Sequence, residues 1–207
     1  IHKVVNWKLA NKIIYTLLSG GSQVKIAVIN GTPVHGVTYY MKELFLKHIK
    51  CENEVVEFYP KDMPQFCMGC KNCFMNGEEK CPHYASVNAI WSAVLDADLL
   101  VFAYPVYALR APASIKSLLD HFCVHWMVHR PNPKIFEKTA VIITNSVGAP
   151  NGSAQKDVRT SLSWMGVSKI FASGAGMMGD IFFDKMTAQH KEMLSRKMCK
   201  LADRVSD

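Results

Sequence analysis

Five short apolar runs, each closed by turn residues, punctuate this chain, and helical patterns fill the gaps between them. The runs are Val24–Asn30 before Gly31, Glu54–Phe58, Asp98–Ala103 before Pro105, Ala140–Thr144 and Lys169–Ser173. Runs this short and continuously apolar read as strands buried on both faces, the pattern of a parallel sheet. Helical spacing covers Thr38–Ile49 and Ala85–Leu95, the latter with Val87, Ile90, Trp91 and Val94 on one stripe. Pro112 suits a first helical turn, and Ile115, Leu118, Leu119 and Phe122 follow it as a second stripe. Asn151–Trp164 and Lys185–Val205 complete the set. Strand and helix in alternation predict an α/β domain: a doubly wound, five-stranded parallel sheet of order 2-1-3-4-5.

At 207 residues the chain suits one domain with a full core. We read residues 1–23 as a helical extension and 24–207 as the domain, with a cysteine-rich loop at 60–83. In the extension, Trp7, Leu9, Ile13, Ile14, Leu17 and Leu18 form one side, ended by Gly20-Gly21. Packing on the domain or a second subunit is the expected role, with interfacial membrane contact as the competing one. The first residue is Ile, and no cleavage pattern follows the short apolar stretch, so the expected location is the cytoplasm without a stable membrane anchor. The net charge of +7 is scattered, without a run of five basic residues. A solvated basic surface is therefore expected, rather than a nucleic-acid platform.

In an open α/β sheet, ligands bind beyond the carboxyl ends of the strands. The loop after the first run, Asn30-Gly31-Thr32-Pro33-Val34-His35-Gly36-Val37-Thr38, is rich in glycine and hydroxyl groups and leads into a helix. Its backbone N–H groups and the helix dipole favour a phosphate, with Thr32, Thr38 and His35 as further donors. The plainer reading is a strand-to-helix turn with Thr38 as N-cap.

Seven cysteines, an odd count, argue against a closed disulfide framework and favour a reducing compartment. Four fall within fifteen residues as Cys67-x-x-Cys70-x-x-Cys73-x7-Cys81-Pro82. Such spacing presents three sulfurs from one turn, with Gly69 relieving crowding, and suits a [4Fe–4S] cluster. Structural zinc more often uses two separated knuckles, and unligated redox thiols are the third reading.

The loop at Gly31, Thr32, Pro33, Gly36 and Thr38 resembles that of the NADPH-dependent FMN reductase and iron–sulfur flavoprotein group, departing at Val34 and Val37. Tyr104-Pro105-Val106-Tyr107, followed by Pro112, Lys116 and Asp120, is similar to the family's segment after the third strand. Thr144-Asn145-Ser146-Val147-Gly148-Ala149 is similar to its loop after the fourth. The resemblance runs from about residue 24 to 175. It implies a flavodoxin-like fold and FMN held by Gly31, Thr32, His35, Gly36, Thr38, Pro105, Val106, Tyr107, Thr144, Asn145, Ser146 and Gly148. It further implies NAD(P)H as donor and a homodimer or homotetramer. The compact cysteine motif of its iron–sulfur members corresponds to Cys67, Cys70, Cys73 and Cys81, although Pro82-His83-Tyr84 stands where relatives often show Asp-Asp.

Gly174-x-Gly176-x-x-Gly179 matches a dinucleotide fingerprint, but no βαβ unit follows it, so it reads as a turn. His121, Cys123, His125 and His129 read as one helix, with the histidines packing and adding positive charge near its end. Cys51, Cys123 and Cys199 read as scattered thiols. The expected function is FMN-dependent oxidoreduction or electron transfer, coupled to a [4Fe–4S] cluster, toward a redox partner or small acceptor. The alternatives are a metal-free FMN or quinone reductase and a non-catalytic domain with structural zinc. Flavin hydride transfer needs no protein acid or base, so no catalytic side chain is assigned.

Overall fold

The computed structural model describes residues 23–177 and 183–206; residues 1–22 of the expected extension and Gly179 of the glycine motif lie outside the described residues. Strands β1 (Val24–Asn30), β2 (Asn53–Phe58), β3 (Leu99–Pro105), β4 (Thr139–Ser146) and β5 (Lys169–Gly176) form one parallel sheet. Its order is β2-β1-β3-β4-β5, as the alternation predicts. The helices are α1 (Val37–His48), α2 (Asn72–Met75), α3 (Tyr84–Asp96), α4 (Ala113–Phe122), α5 (Gly152–Met165) and α6 (Ala188–Ser206).

Each long helix buries the stripe its spacing sets out. On one face of the sheet, Val37, Met41 and Phe45 of α1 and Leu194, Met198, Leu201 and Val205 of α6 close over Val28, Val101 and Val141. On the other, Val87, Ile90, Trp91 and Val94 of α3 join Ile115, Leu118 and Phe122 of α4 and Val158 and Leu162 of α5 over Leu100, Phe102 and Ile142. Each such side chain contributes roughly 1.5–3 kcal/mol on burial. The three central strands are buried almost throughout. β2 departs from the expected two-faced burial: as an edge strand it leaves Val55 and Val56 exposed.

Three helix ends differ from the sequence reading. Gly36, not Thr38, is the N-cap of α1 and gives no side-chain cap bond. Thr38 instead lies buried in the first turn. Pro112 is the N-cap of α4, one position before its first turn. Finally, α4 stops at Phe122 and a 3-10 turn, Cys123–His125, follows, so His125 and His129 leave the helix that carries His121. Trp126 draws the chain away: its ring stacks on Trp164 at 5.5 Å, and Met127 N–H donates to the Trp164 carbonyl at 2.8 Å.

Candidate active site

The loops after β1, β3 and β4 meet at the carboxyl end of the sheet, and strand backbones hold the first two. Gly31 N–H donates to the Ala103 carbonyl at 2.8 Å, extending the β1–β3 ladder by one residue. Gly31 has to be glycine there, since an added Cβ would overlap Tyr104 Cβ and lie 3.1 Å from Ile115 Cγ1. The loop then turns as Val34 N–H donates to Thr32 Oγ1 at 3.1 Å, and His35 stacks on Tyr39 with ring centres 4.0 Å apart. The first turn of α1 has neither a capping side chain nor an acidic residue. Its orphan N–H groups are therefore ready for an anion.

The β3 loop leaves the sheet through Val106 N–H, which donates to the Asn145 carbonyl at 2.7 Å. Tyr107 and Arg110 then exchange backbone hydrogen bonds of 3.1 and 2.9 Å around Ala108 and Leu109, both left-handed, with φ of 47° and 64°. Non-glycine residues at both centres of such a turn are strained. Asp157 holds the turn in place by accepting from Arg110 Nη2 at 2.5 Å and from Ala111 N–H at 3.1 Å. The result exposes Tyr107 and Leu109 at the mouth.

In the β4 loop, Ser146 Oγ donates to the Ala149 carbonyl and accepts from Asn151 Nδ2 at 3.2 Å. Thr144 is fully buried, its Oγ1 accepting from Gln155 Nε2 at 2.8 Å. Both hydroxyls thus work inside the protein. Asn145 differs, because its Oδ1 is buried with no hydrogen-bond partner among the described residues. An orphaned buried acceptor is costly unless a ligand satisfies it. Gly148, at φ 76°, turns the loop outward, while Pro105 and Val106 sit half-buried at the end of β3.

Residues 24–177 match the family model for NADPH-dependent FMN reductase. The chain belongs to that family. Membership makes it an NAD(P)H-dependent FMN oxidoreductase. An iron-sulfur flavoprotein from Archaeoglobus fulgidus is 27% identical over 159 residues, covering 75% of this chain and 70% of that protein. An FMN-dependent NADH:quinone oxidoreductase from Azotobacter vinelandii is 31% identical over 115 residues, covering 50% and 57%. Two solved structures share the fold. The NAD(P)H:quinone oxidoreductase from Methanothermobacter marburgensis gives a TM-score of 0.67 at 14% identity, covering 90% of this chain and 98% of that one. An FMN-dependent NADH-azoreductase from Bacillus anthracis, in complex with FMN, gives 0.65 at 13% identity, covering 88% and 100%. The uncapped α1 terminus, the glycine and hydroxyl loop and the orphaned Asn145 Oδ1 fit the family's cofactor.

The cysteine loop leaves this end of the sheet and runs down the flank of α4. Ser117 Oγ donates to the Pro64 carbonyl at 2.9 Å, and His121 Nε2 lies 2.9 Å from the Gln65 carbonyl. A carbonyl only accepts, so Nε2 carries the proton and Nδ1 faces Cys81 Sγ at 3.7 Å. Cys67, Cys70, Cys73 and Cys81 line one cavity of about 150 Å³, together with His83 and His121. Cys123 lines it too, a fifth thiol that spacing did not reveal. Burial pushes the Cys123 thiol up to about 11, with Cys67 and Cys73 adding to the effect. Burial, then Cys81, also raises Cys73. Gly69 has a different reason from the one expected: an added Cβ would meet nothing within 4 Å, but φ is 67°. It serves the left-handed turn and relieves no crowding.

Four thiolates round one cavity are the right donor set for an iron–sulfur group. Among the described residues, however, no three metal-ligating side chains are drawn together as a closed site. Burial opposes the positive charge that the sequence reading expects on His121 and His125. His125 is 5% exposed and stacks flat on Trp91 at 3.7 Å, and burial lowers it to about 4. Burial likewise lowers His121. Among the described residues, no helix is long and apolar enough to cross a membrane.

Proposed function

We propose that the loops at the carboxyl end of the sheet bind FMN, that NAD(P)H reduces it there, and that the electrons pass to a small acceptor or redox partner. The uncapped first turn of α1, beside a loop that only glycine can form, is the observation that carries this reading. The N–H groups of that turn and the hydroxyl of Thr32 take the phosphate. Pro105, Val106 and Tyr107 form one wall of the ring site, while Asn145 Oδ1 accepts a ring N–H. Thr38, Thr144 and Ser146 keep the loops in shape from within. Bound FMN supplies the hydride-accepting ring, and the protein supplies binding and orientation.

Cys67, Cys70, Cys73 and Cys81 would hold a [4Fe–4S] cluster as a one-electron store. The donor set and the iron-sulfur flavoprotein from Archaeoglobus fulgidus support it. Ser114 Oγ, at the start of α4, lies 3.4 Å from the Gly31 carbonyl, while Cys123 follows that helix's end. The two sites are thus separated by the ten residues of α4, about 15 Å. A homodimer or homotetramer in which one subunit's cysteine loop meets another's flavin end fits that separation. The cytoplasm is the proposed location.

The test is iron and acid-labile sulfide analysis of protein purified without oxygen, alongside its flavin content. About four irons per chain, lost in Cys67→Ser with flavin retained, supports the cluster. The open arrangement of the thiols favours the second reading, a metal-free FMN reductase. Full flavin loading and turnover without iron or zinc would establish that reading instead.

A further inference from the structure

A charged cluster lies under the loop after β1, where an amphipathic helix would normally bury only apolar groups. Lys42 of α1 is completely buried. A buried ammonium persists only when paired, and Lys42 Nζ lies 2.8 and 3.0 Å from the two Glu57 carboxylate oxygens. It also lies 2.7 Å from Glu43 Oε1 and 4.3 Å from the centre of the Tyr39 ring. Glu57, near the end of β2, additionally accepts from Asn30 Nδ2 at 2.9 Å and the Tyr59 hydroxyl at 3.0 Å. Asn30 donates as well to the Phe58 carbonyl at 3.1 Å.

These contacts reach both ends of the loop. Asn30 is the last residue of β1, immediately before Gly31, and is tied to Lys42 through Glu57. His35, immediately before the N-cap Gly36, is tied to Lys42 through the Tyr39 ring. We propose that Lys42 is the positioning residue of the phosphate loop: through Glu57 and Tyr39 it fixes both ends, so that the loop's N–H groups are arranged before the ligand arrives. Its own charge is taken up by two carboxylates, so it is not a phosphate ligand. A buried ion pair adds little net stability, and methionine would fill similar space. What the cluster adds is direction, and a preformed loop spares the ligand the cost of ordering it. The inference rests on the FMN reading above.

The test is titration of the flavin-free full chain with FMN and with riboflavin, which lacks the phosphate, followed by quenching of flavin fluorescence. In Lys42→Met the expected result is an FMN affinity about tenfold weaker, a difference of about 1.4 kcal/mol, with riboflavin affinity changed less than about twofold. The double variant Lys42→Met, Glu57→Gln removes the carboxylate charge left behind, and the new side-chain amide oxygen still accepts from Asn30. It should fold with the melting temperature of the wild type and show the same selective loss. Equal losses for both flavins in folded protein, or an unchanged ratio, would overturn the positioning role while leaving the FMN reading intact. Failure of the wild type to bind FMN would remove both.

Discussion

The loops after β1 and β3 hang from strand backbones, whereas the cysteine loop is held to the domain chiefly by side chains of α4. At the first site Gly31 and Val106 each donate a backbone N–H to a neighbouring strand. At the second, Ser117 and His121 grip the Pro64 and Gln65 carbonyls, and Arg130 Nη2 reaches the Phe74 carbonyl at 3.0 Å. Beyond those grips, Phe66, Met68 and Met75 stand exposed. One site is thus formed by the fold itself, while the other relies on a few added contacts. Changes to the loop after β1 should therefore lower FMN affinity, and changes at the second should leave it intact.

Gly31→Ala should do the most damage. The new methyl group overlaps Tyr104 Cβ, which belongs to a central strand and cannot step aside. The expected cost is about 3 kcal/mol in urea unfolding, with FMN affinity lowered about a hundredfold. Native affinity in this variant would show that the loop is not set by that close approach.

His125 probes the second region through pH. Its folded value of about 4, lowered chiefly by burial, lies below the ordinary 6.5 of the unfolded chain. Between these values the unfolded state binds the extra proton, so stability falls as pH drops from about 6.5 to about 4. The share due to His125 is roughly 3 kcal/mol. His125→Phe keeps a ring against Trp91 and should flatten the pH dependence of urea unfolding over that window, with FMN affinity unchanged. An equally steep dependence in the variant would assign the loss to other groups.

Ser117→Ala removes one grip on the cysteine loop and should cost about 1 kcal/mol. Limited proteolysis near Phe66 should quicken, with FMN binding untouched; a parallel loss of FMN would mean that the two regions are coupled. The smallest change is expected from Ala108→Gly, which relieves a left-handed alanine and should add about 0.5 kcal/mol, read as a rise in melting temperature. A drop would mean that Asp157 and the backbone pair already fit alanine to that turn.

Much of the fold is legible in the sequence because its cause is local. The central runs are apolar because both faces are covered, and turn residues close them, so strands and helices fall within a few residues of their expected ends. The loop after β1 is legible for the same reason, since glycine and hydroxyl residues are needed at that bend. What escapes is convergence. Lys42 and Glu57 look like solvent-facing charges in their own segments, and only the packing of α1 on the β2 edge buries one against the other. Cys123 joins the cysteine cavity because α4 ends beside it, and no spacing rule links residues 73 and 123. The opposition to charge on His125 is equally hidden, because burial against Trp91 works against the protonation that helical position alone would favour.

The decisive experiment loads the purified protein with FMN, removes free flavin by gel filtration and adds NADPH without oxygen. A yellow protein with absorbance near ~450 nm that bleaches on addition of NADPH is the predicted result. A protein that emerges colourless, with FMN left in the small-molecule fraction, would contradict it.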